Sequence, residues 1–310
     1  MINQLEATVA STWSTDAPWG VLQQSERRGK AVAAHIFKWS PNDGGHESYV
    51  RNFPTDHTPP SGPRLWEPTA PAHQPAMQPY WGGLRPFVLQ TADEFDPGPP
   101  PTYSEERGSH FHDEALEVYV TVNNLTQQQR RIAQFWADDP VETASPGGHS
   151  IAILTQTLRQ LDAGLNVAAE AYARLGVALA DAFVACWHAK YRYNLVRPVT
   201  YIRSVIDPAW GDQLPVVTPP FPEYPSGHSV QSGAFAQVMY DLFGDLPLTD
   251  HTHDARGYAP RRFNSYFQMA NEAAISRLYG GIHFRSAIER GVEQGRAIGR
   301  VASRLELMAE

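Results

Sequence analysis

Cysteine is nearly absent from this 310-residue chain. Cys186 is the only one, so no intrachain disulfide can form and the fold must rest on its core. Its apolar surroundings mark it as a small packing residue. Long apolar runs are absent as well. The most apolar stretch, Val177 to Trp187, is interrupted by Asp181 and falls well short of the ~20 residues that a membrane span requires. Met1 to Gly20 contains no apolar core of a secretory signal, so the sequence reads as cytoplasmic as it stands, or as exported if a signal has been removed. A basic excess is missing too. The net charge is -8, which argues against a nucleic-acid binder while leaving room for a small basic pocket that holds an anion.

Proline is plentiful. From about Ser40 to Thr102 the chain carries Pro59-Pro60, the spaced Pro71, Pro75 and Pro79, and the run Pro97-Gly98-Pro99-Pro100-Pro101. Proline blocks helix interiors, so residues 1–105 are expected to form an irregular region packed on a helical body, with Trp66, Trp81 and Phe87 as anchors. Residues 106–310 are expected to form a helical-bundle domain. Ser109 and Thr126 are natural caps for helices over His110–Val120 and up to Trp136. Leu154, Leu158, Leu161 and Leu165 lie at helical spacing and predict one long helix over about Ile151–Tyr172. Further helices are expected over Val177–Asn194, Ser226–Phe243, Phe263–Tyr279 and Ile288–Leu307. In the last, Gly291, Gly295 and Gly299 make one face smooth enough for close packing. No strand pair is expected, and the fold class is all-α, a helical bundle.

Three short segments concentrate polar chemistry. In Lys190-Tyr191-Arg192-Tyr193-Asn194-Leu195-Val196-Arg197-Pro198, two cations seven residues apart are expected on one helix face, with Pro198 ending the helix. Pro225-Ser226-Gly227-His228 opens a helix. Ser226 is a cap, Gly227 admits a ligand to the backbone, and free N–H groups at a helix start bind anions. In Ser276-Arg277-Leu278-Tyr279-Gly280-Gly281-Ile282-His283, a glycine turn can aim Arg277 and His283 at one point. Each segment alone also fits solvated charges or an ordinary cap and turn.

Taken in order, the blocks resemble the signature of the type 2 phosphatidic acid phosphatase superfamily, which includes soluble acid phosphatases and vanadium-dependent haloperoxidases. The resemblance covers roughly Ala133 to the end. It implies that Lys190, Arg197 and Arg277 neutralise the equatorial oxygens of vanadate or phosphate, with Ser226 and the Gly227 N–H adding hydrogen bonds. His283 would be the axial ligand of vanadium, or the nucleophile towards phosphate, and His228 the acid–base residue. A site shaped for a phosphoryl-transfer transition state can hold vanadate.

The resemblance also points to a branch. Trp187 and Phe221 match the halide pocket of vanadium chloroperoxidases, and Phe135-Trp136-Ala137-Asp138-Asp139 resembles a haloperoxidase stretch that would place Asp139 near Arg277. The expected activity is therefore halide oxidation by hydrogen peroxide on vanadate, with a small organic acceptor of the halogen. A soluble acid phosphatase working through a phosphohistidine, or a non-catalytic phosphate-binding module, would use the same pocket. One departure stands out: where many relatives carry Asp four residues after the last histidine, this chain has Ala287, and Glu289 would face elsewhere. His283 is then expected to lean on another partner, such as a backbone carbonyl. The resembling haloperoxidases are longer at the N-terminus, so a partner subunit could supply missing helices in a homodimer. His110, His112, Asp113 and Glu114, and the run His251-Thr252-His253-Asp254, are conceivable metal clusters, but a capped polar first turn accounts for the former and a plain loop for the latter.

Overall fold

The computed structural model describes residues 2–15, 17–139, 143 and 145–307. Ten helices and one two-stranded hairpin are assigned among them: α1 Ile2–Trp13, α2 Trp19–Trp39, α3 His110–Asn123, α4 Gln127–Phe135, α5 Ser145–Gln160, α6 Leu165–Tyr193, α7 Pro198–Val205, α8 Gly227–Phe243, α9 Tyr266–Tyr279 and α10 Arg285–Ala302, with β1 Leu248–Asp250 antiparallel to β2 Arg261–Phe263. The all-α expectation holds, and the short hairpin is a correction to it. Among the described residues no helix is long and apolar enough to cross a membrane.

The structure divides into two compact units between Val50 and Arg51. The first unit is helical rather than irregular. It holds α1 and α2, bridged by Lys30, whose ammonium lies 3.2 Å from Glu6 and 2.7 Å from Glu26. From Arg51 onward the proline-rich segment belongs to the second unit and is built into it. Asp181, the polar break in the apolar stretch of α6, is fully buried and accepts the backbone N–H groups of Phe87, Val88 and Leu89 at 2.7, 2.8 and 3.0 Å. Trp66 is fully buried and Trp81 stacks on Phe183 at 5.0 Å. Phe87 anchors by its backbone, for its side chain is half exposed.

The predicted long helix across Leu161 is broken. Asp162 takes a left-handed φ of 47°, and Gly164 caps the start of α6. Leucine spacing reports a shared buried face, which two consecutive helices satisfy as well as one.

At the centre lies α8, buried along most of its length and packed against α6, α9 and α10. The glycine face of α10 makes this possible. A Cβ on Gly295 would collide with the Val230 carbonyl oxygen, and one on Gly299 would come to 2.8 Å from that of Ala234. From the other side, a Cβ on Gly233 would lie 2.5 Å from the Val292 carbonyl oxygen. Gly295→Ala is therefore expected to destabilise the fold by at least about 1–3 kcal/mol through overpacking. Gly176→Ala on α6, where nothing lies within 4 Å, should be neutral or stabilising by about 0.5–1 kcal/mol. Denaturant unfolding of both variants decides this, and equal midpoints would refute the close-packing account.

Candidate active site

Lys190 lies in the last turn of α6. The helix stops at Tyr193 because Asn194 adopts a left-handed φ of 46° and returns its N–H to the Lys190 carbonyl. Arg197 is therefore not on the same helix face as Lys190, as expected from spacing. It caps the next helix, and Pro198 opens α7 instead of closing α6. The intervening turn is pinned by the proline-rich segment, with Val196 N–H donating to the Arg64 carbonyl and Trp66 N–H to that of Asn194.

Lys190, Arg197 and Arg277 all act on His283, and all are essentially excluded from solvent. Lys190 donates to the carbonyls of Pro222, Glu223 and Pro225 at 3.0, 3.0 and 2.6 Å. Its ammonium thus organises the loop leading into α8 and reaches an anion through its field. Burial, with Arg197 adding to it, pushes its pKa down to about 7. Arg197 donates through Nε to the Phe221 carbonyl and through Nη1 to that of Ile282, both at 2.9 Å. Its Nη2 is buried without a partner. Arg277 donates to Ser276 Oγ at 2.9 Å and to the Ala133 carbonyl at 3.2 Å.

Ser226 caps α8, its Oγ accepting from the Ser229 N–H at 3.4 Å. Gly227 follows with its Cα turned to the cation lining: a Cβ there would meet the Trp187 ring at 3.6 Å and Lys190 Cε at 3.9 Å. Trp187 and Phe221 contact each other at 5.0 Å between centroids. Phe221 lies 5.1 Å from Lys190 Nζ and 4.9 Å from the Arg197 guanidinium carbon, so these rings flank the charges. The indole N–H of Trp187 is buried and unpartnered.

His283 does not lean on a backbone carbonyl. Its Nδ1 lies 2.7 Å from Oε1 of Glu223, which also accepts the Phe284 N–H at 2.9 Å. Sequence reading missed Glu223, although an acid inside the apolar run Pro219-Pro220-Phe221-Pro222-Glu223-Tyr224-Pro225 was a visible signal. With Nδ1 donating, the lone pair resides on Nε2, which accepts from Arg197 Nη1 at 3.2 Å. Burial, reinforced by Arg197, Lys190 and Arg277, holds His283 far below the usual imidazole range, so the ring is neutral. Ala287 serves by its backbone, its carbonyl accepting the Ser226 N–H at 3.0 Å. Glu289 faces elsewhere, beside Arg285.

His228 lies in the first turn of α8, its Nε2 3.8 Å from Asp138 Oδ2 and without a hydrogen-bond partner. Burial and the nearby Arg277 push its pKa down to about 3. The charges of Asp138 and Asp139 both act on Arg277, the buried Asp138 more strongly. The conceivable cluster at His110–Glu114 is a capped polar turn. Ser109 accepts the His112 N–H, and Glu114 accepts from Ser286 Oγ at 2.7 Å.

Arg197 Nη2, the Trp187 N–H and His228 Nε2 lack partners, as does the acceptor Oε2 of Glu223, in a pocket that holds three buried cations. A tetrahedral or five-coordinate oxyanion supplies the missing acceptors, and the neutral Nε2 of His283 can ligate its central atom, so the residues fit vanadate or phosphate. A helical bundle with helix ends converging on such a pocket is suited to hold an oxyanion.

The chain is similar to known proteins of this type. The family model of the VCPO second helical-bundle domain matches residues 170–308. The crystal structure of a bacterial vanadium-dependent iodoperoxidase superposes with a TM-score of 0.84 at 40% identity, covering 97% of this chain and 72% of that one. The holo form of a bacterial vanadium-dependent chloroperoxidase shares the fold, with a TM-score of 0.67 at 20% identity over 89% of this chain and 71% of that one. Vanadium chloroperoxidase of Curvularia inaequalis is 24% identical over 301 residues, 75% of this chain and 48% of that protein, so the chain spans about half the length of that relative. Within the type 2 phosphatidic acid phosphatase superfamily, the chain belongs to the vanadium-dependent haloperoxidases.

Replacing Glu223 tests the histidine support. Glu223→Leu leaves Nδ1 of His283 unpaired, and should weaken vanadate binding by about 10–100-fold, the usual loss when the carboxylate behind a ligating histidine is removed. Glu223→Gln keeps an acceptor and should lose less. Equilibrium dialysis of vanadate measures both, and wild-type affinity in Glu223→Leu would show that His283 is held by other means.

Proposed function

We propose that this chain oxidises a halide with hydrogen peroxide at the pocket around His283. The supporting observation is the neutral His283, fixed by Glu223 at Nδ1, with its Nε2 beside three buried cations and an unsatisfied Arg197 donor. Lys190, Arg197, Ser226, Gly227 and Arg277 would hold vanadate, which when bound supplies Lewis-acid activation of peroxide without changing oxidation state. The net reaction takes halide, hydrogen peroxide and one proton to hypohalous acid and water, and a small organic acceptor then receives the halogen.

The protein's own part is orientation, charge and proton supply. The cations stabilise negative charge that grows on oxygen in a site withdrawn from water. His228 enters from the start of α8 as the proton-handling group. Its low pKa reflects burial and the Arg277 charge, and an anion placed between them reverses the second effect. Trp187 and Phe221 offer an apolar wall, and the free indole N–H offers a donor, where a halide approaches. The similarity to an iodoperoxidase makes iodide the first halide to assay.

Phosphate hydrolysis through a phosphohistidine is the second reading, and Glu223 favours it: the orienting group that a nucleophilic histidine needs is present despite Ala287. One assay separates the two. With added vanadate and peroxide, halogenation of a dione probe should appear with iodide or bromide, require vanadate, and fall about 10²–10⁴-fold in His228→Ala. Rapid cleavage of an aryl phosphate, with no vanadate-dependent halogenation, would establish the phosphatase instead.

A further inference from the structure

A second buried cluster lies behind His228. After α4 the chain turns inward at Asp138, which takes a φ of 50° and is 2% exposed. His149, from the first turns of α5, reaches it from one side. Its Nδ1 lies 2.9 and 3.1 Å from the two Asp138 oxygens, and its Nε2 lies 2.8 Å from Asp250 Oδ2 at the end of β1. Trp136 stacks on the imidazole at 4.7 Å and 21°. On its other side Asp138 meets His253 Nε2 at 3.6 Å and His228 Nε2 at 3.8 Å, and its charge acts on Arg277.

A ring with each nitrogen against a carboxylate carries both protons, because either lone pair would face an anion. Burial opposes that charge, but Asp138 and Asp250 outweigh it and push the pKa of His149 up to about 9. Asp138, His149 and His253 also offer ligand atoms within 4.8 Å of one another. A metal there would need a free nitrogen on His149, and both are committed. The arrangement is a charged hydrogen-bonded chain, Asp250–His149–Asp138, ending beside the acid–base histidine.

We propose that His149 is a positioning residue. Held between Asp250 and Asp138, it fixes the Asp138 carboxylate against His228 and Arg277 and so aims His228 at the oxyanion. This rests on the haloperoxidase reading, in which His228 handles the proton. Among the groups that would hold the anion, Arg277 feels the Asp138 charge, but among the described residues none of Lys190, Arg197, Ser226, Gly227 and His283 hydrogen-bonds or ion-pairs with His149 or Asp250. Loss of the chain therefore lowers turnover by far more than it weakens anion affinity, to which Arg277 is one contributor among several.

Two variants test this, Asp250→Asn and His149→Gln, each compared with the unmodified protein. Nitrogen-15 NMR of the vanadate-free protein should show one imidazole protonated at both nitrogens at about pH 8, above the ordinary histidine pKa of about 6.5 and absent from His149→Gln. Calorimetry with inorganic phosphate should give affinities within about threefold of each other, while kcat of the vanadate-loaded variants falls at least about tenfold at unchanged halide KM. A neutral His149, an unchanged kcat in both variants, or a parallel loss of kcat and phosphate affinity would each overturn the proposal. So would stoichiometric divalent metal that disappears with His149→Gln, which would make the cluster a metal centre. If the unmodified protein oxidises no halide, the haloperoxidase reading fails separately, and the NMR and phosphate results still decide whether His149 is a charged link. If His149→Gln does not fold, Asp250→Asn carries the kinetic test.

Discussion

A lysine and two arginines withdrawn from water are the constraint around which this bundle is arranged. A buried cation costs several kcal/mol unless each of its protons finds an acceptor. The chain meets that demand with backbone. Lys190 gathers three carbonyls of the 222–225 loop, Arg197 ties the Phe221 and Ile282 carbonyls, and Arg277 reaches that of Ala133. Lys190 and Arg197 together secure the 221–225 loop, Arg197 also the turn at Ile282 and Arg277 the end of α4, and those segments are the walls of the site. What remains is one guanidinium nitrogen with no acceptor, which an oxyanion satisfies.

The same cations set the state of the histidines. Positive charge on three sides makes a protonated His283 untenable, so its ring presents a lone pair, and Glu223 decides which nitrogen carries it. His228 feels Arg277 in the same sense, but Asp138 stands opposite and attracts its proton. Two histidines in one pocket thus acquire different roles through their carboxylates. On the proposed reading, one is held as a ligand by direct contact, while the other faces an acid at longer range, free to exchange a proton.

The residues that line the pocket were legible in the sequence because they sit in three compact blocks whose spacing is tied to helix ends. Their geometry was less so. A separation of seven reads as two helical turns, and only the left-handed Asn194 reveals that Lys190 and Arg197 converge through a turn. The supporting residues were hidden for a different reason. Glu223 lies 60 positions from His283, and Asp250 lies 101 from His149, so no local pattern marks either pair. The helical character survived errors of boundary, since amphipathic spacing identifies buried faces regardless of where a helix breaks. The proline-rich segment was expected to pack on the body, but nothing local indicated that Asp181 would hold it by three backbone N–H groups.

The glycine face of α10 joins the fold to the site. Ser226, at the start of α8, donates its N–H to Ala287 in the first turn of α10, and His283 lies just before that turn. The spacing of these two helices therefore fixes how far the cap that receives the anion stands from the histidine that would ligate it. Along the helices that spacing is set by backbone meeting backbone, with Gly291 against Ser226 and Ser229, Gly295 against Val230 and Gly299 against Ala234. Side chains that pack by rotamer leave room to drift, whereas backbones in contact do not. Placing glycine every fourth residue on α10 removes that freedom where it would matter most, because ligation tolerates displacements of only a few tenths of an ångström.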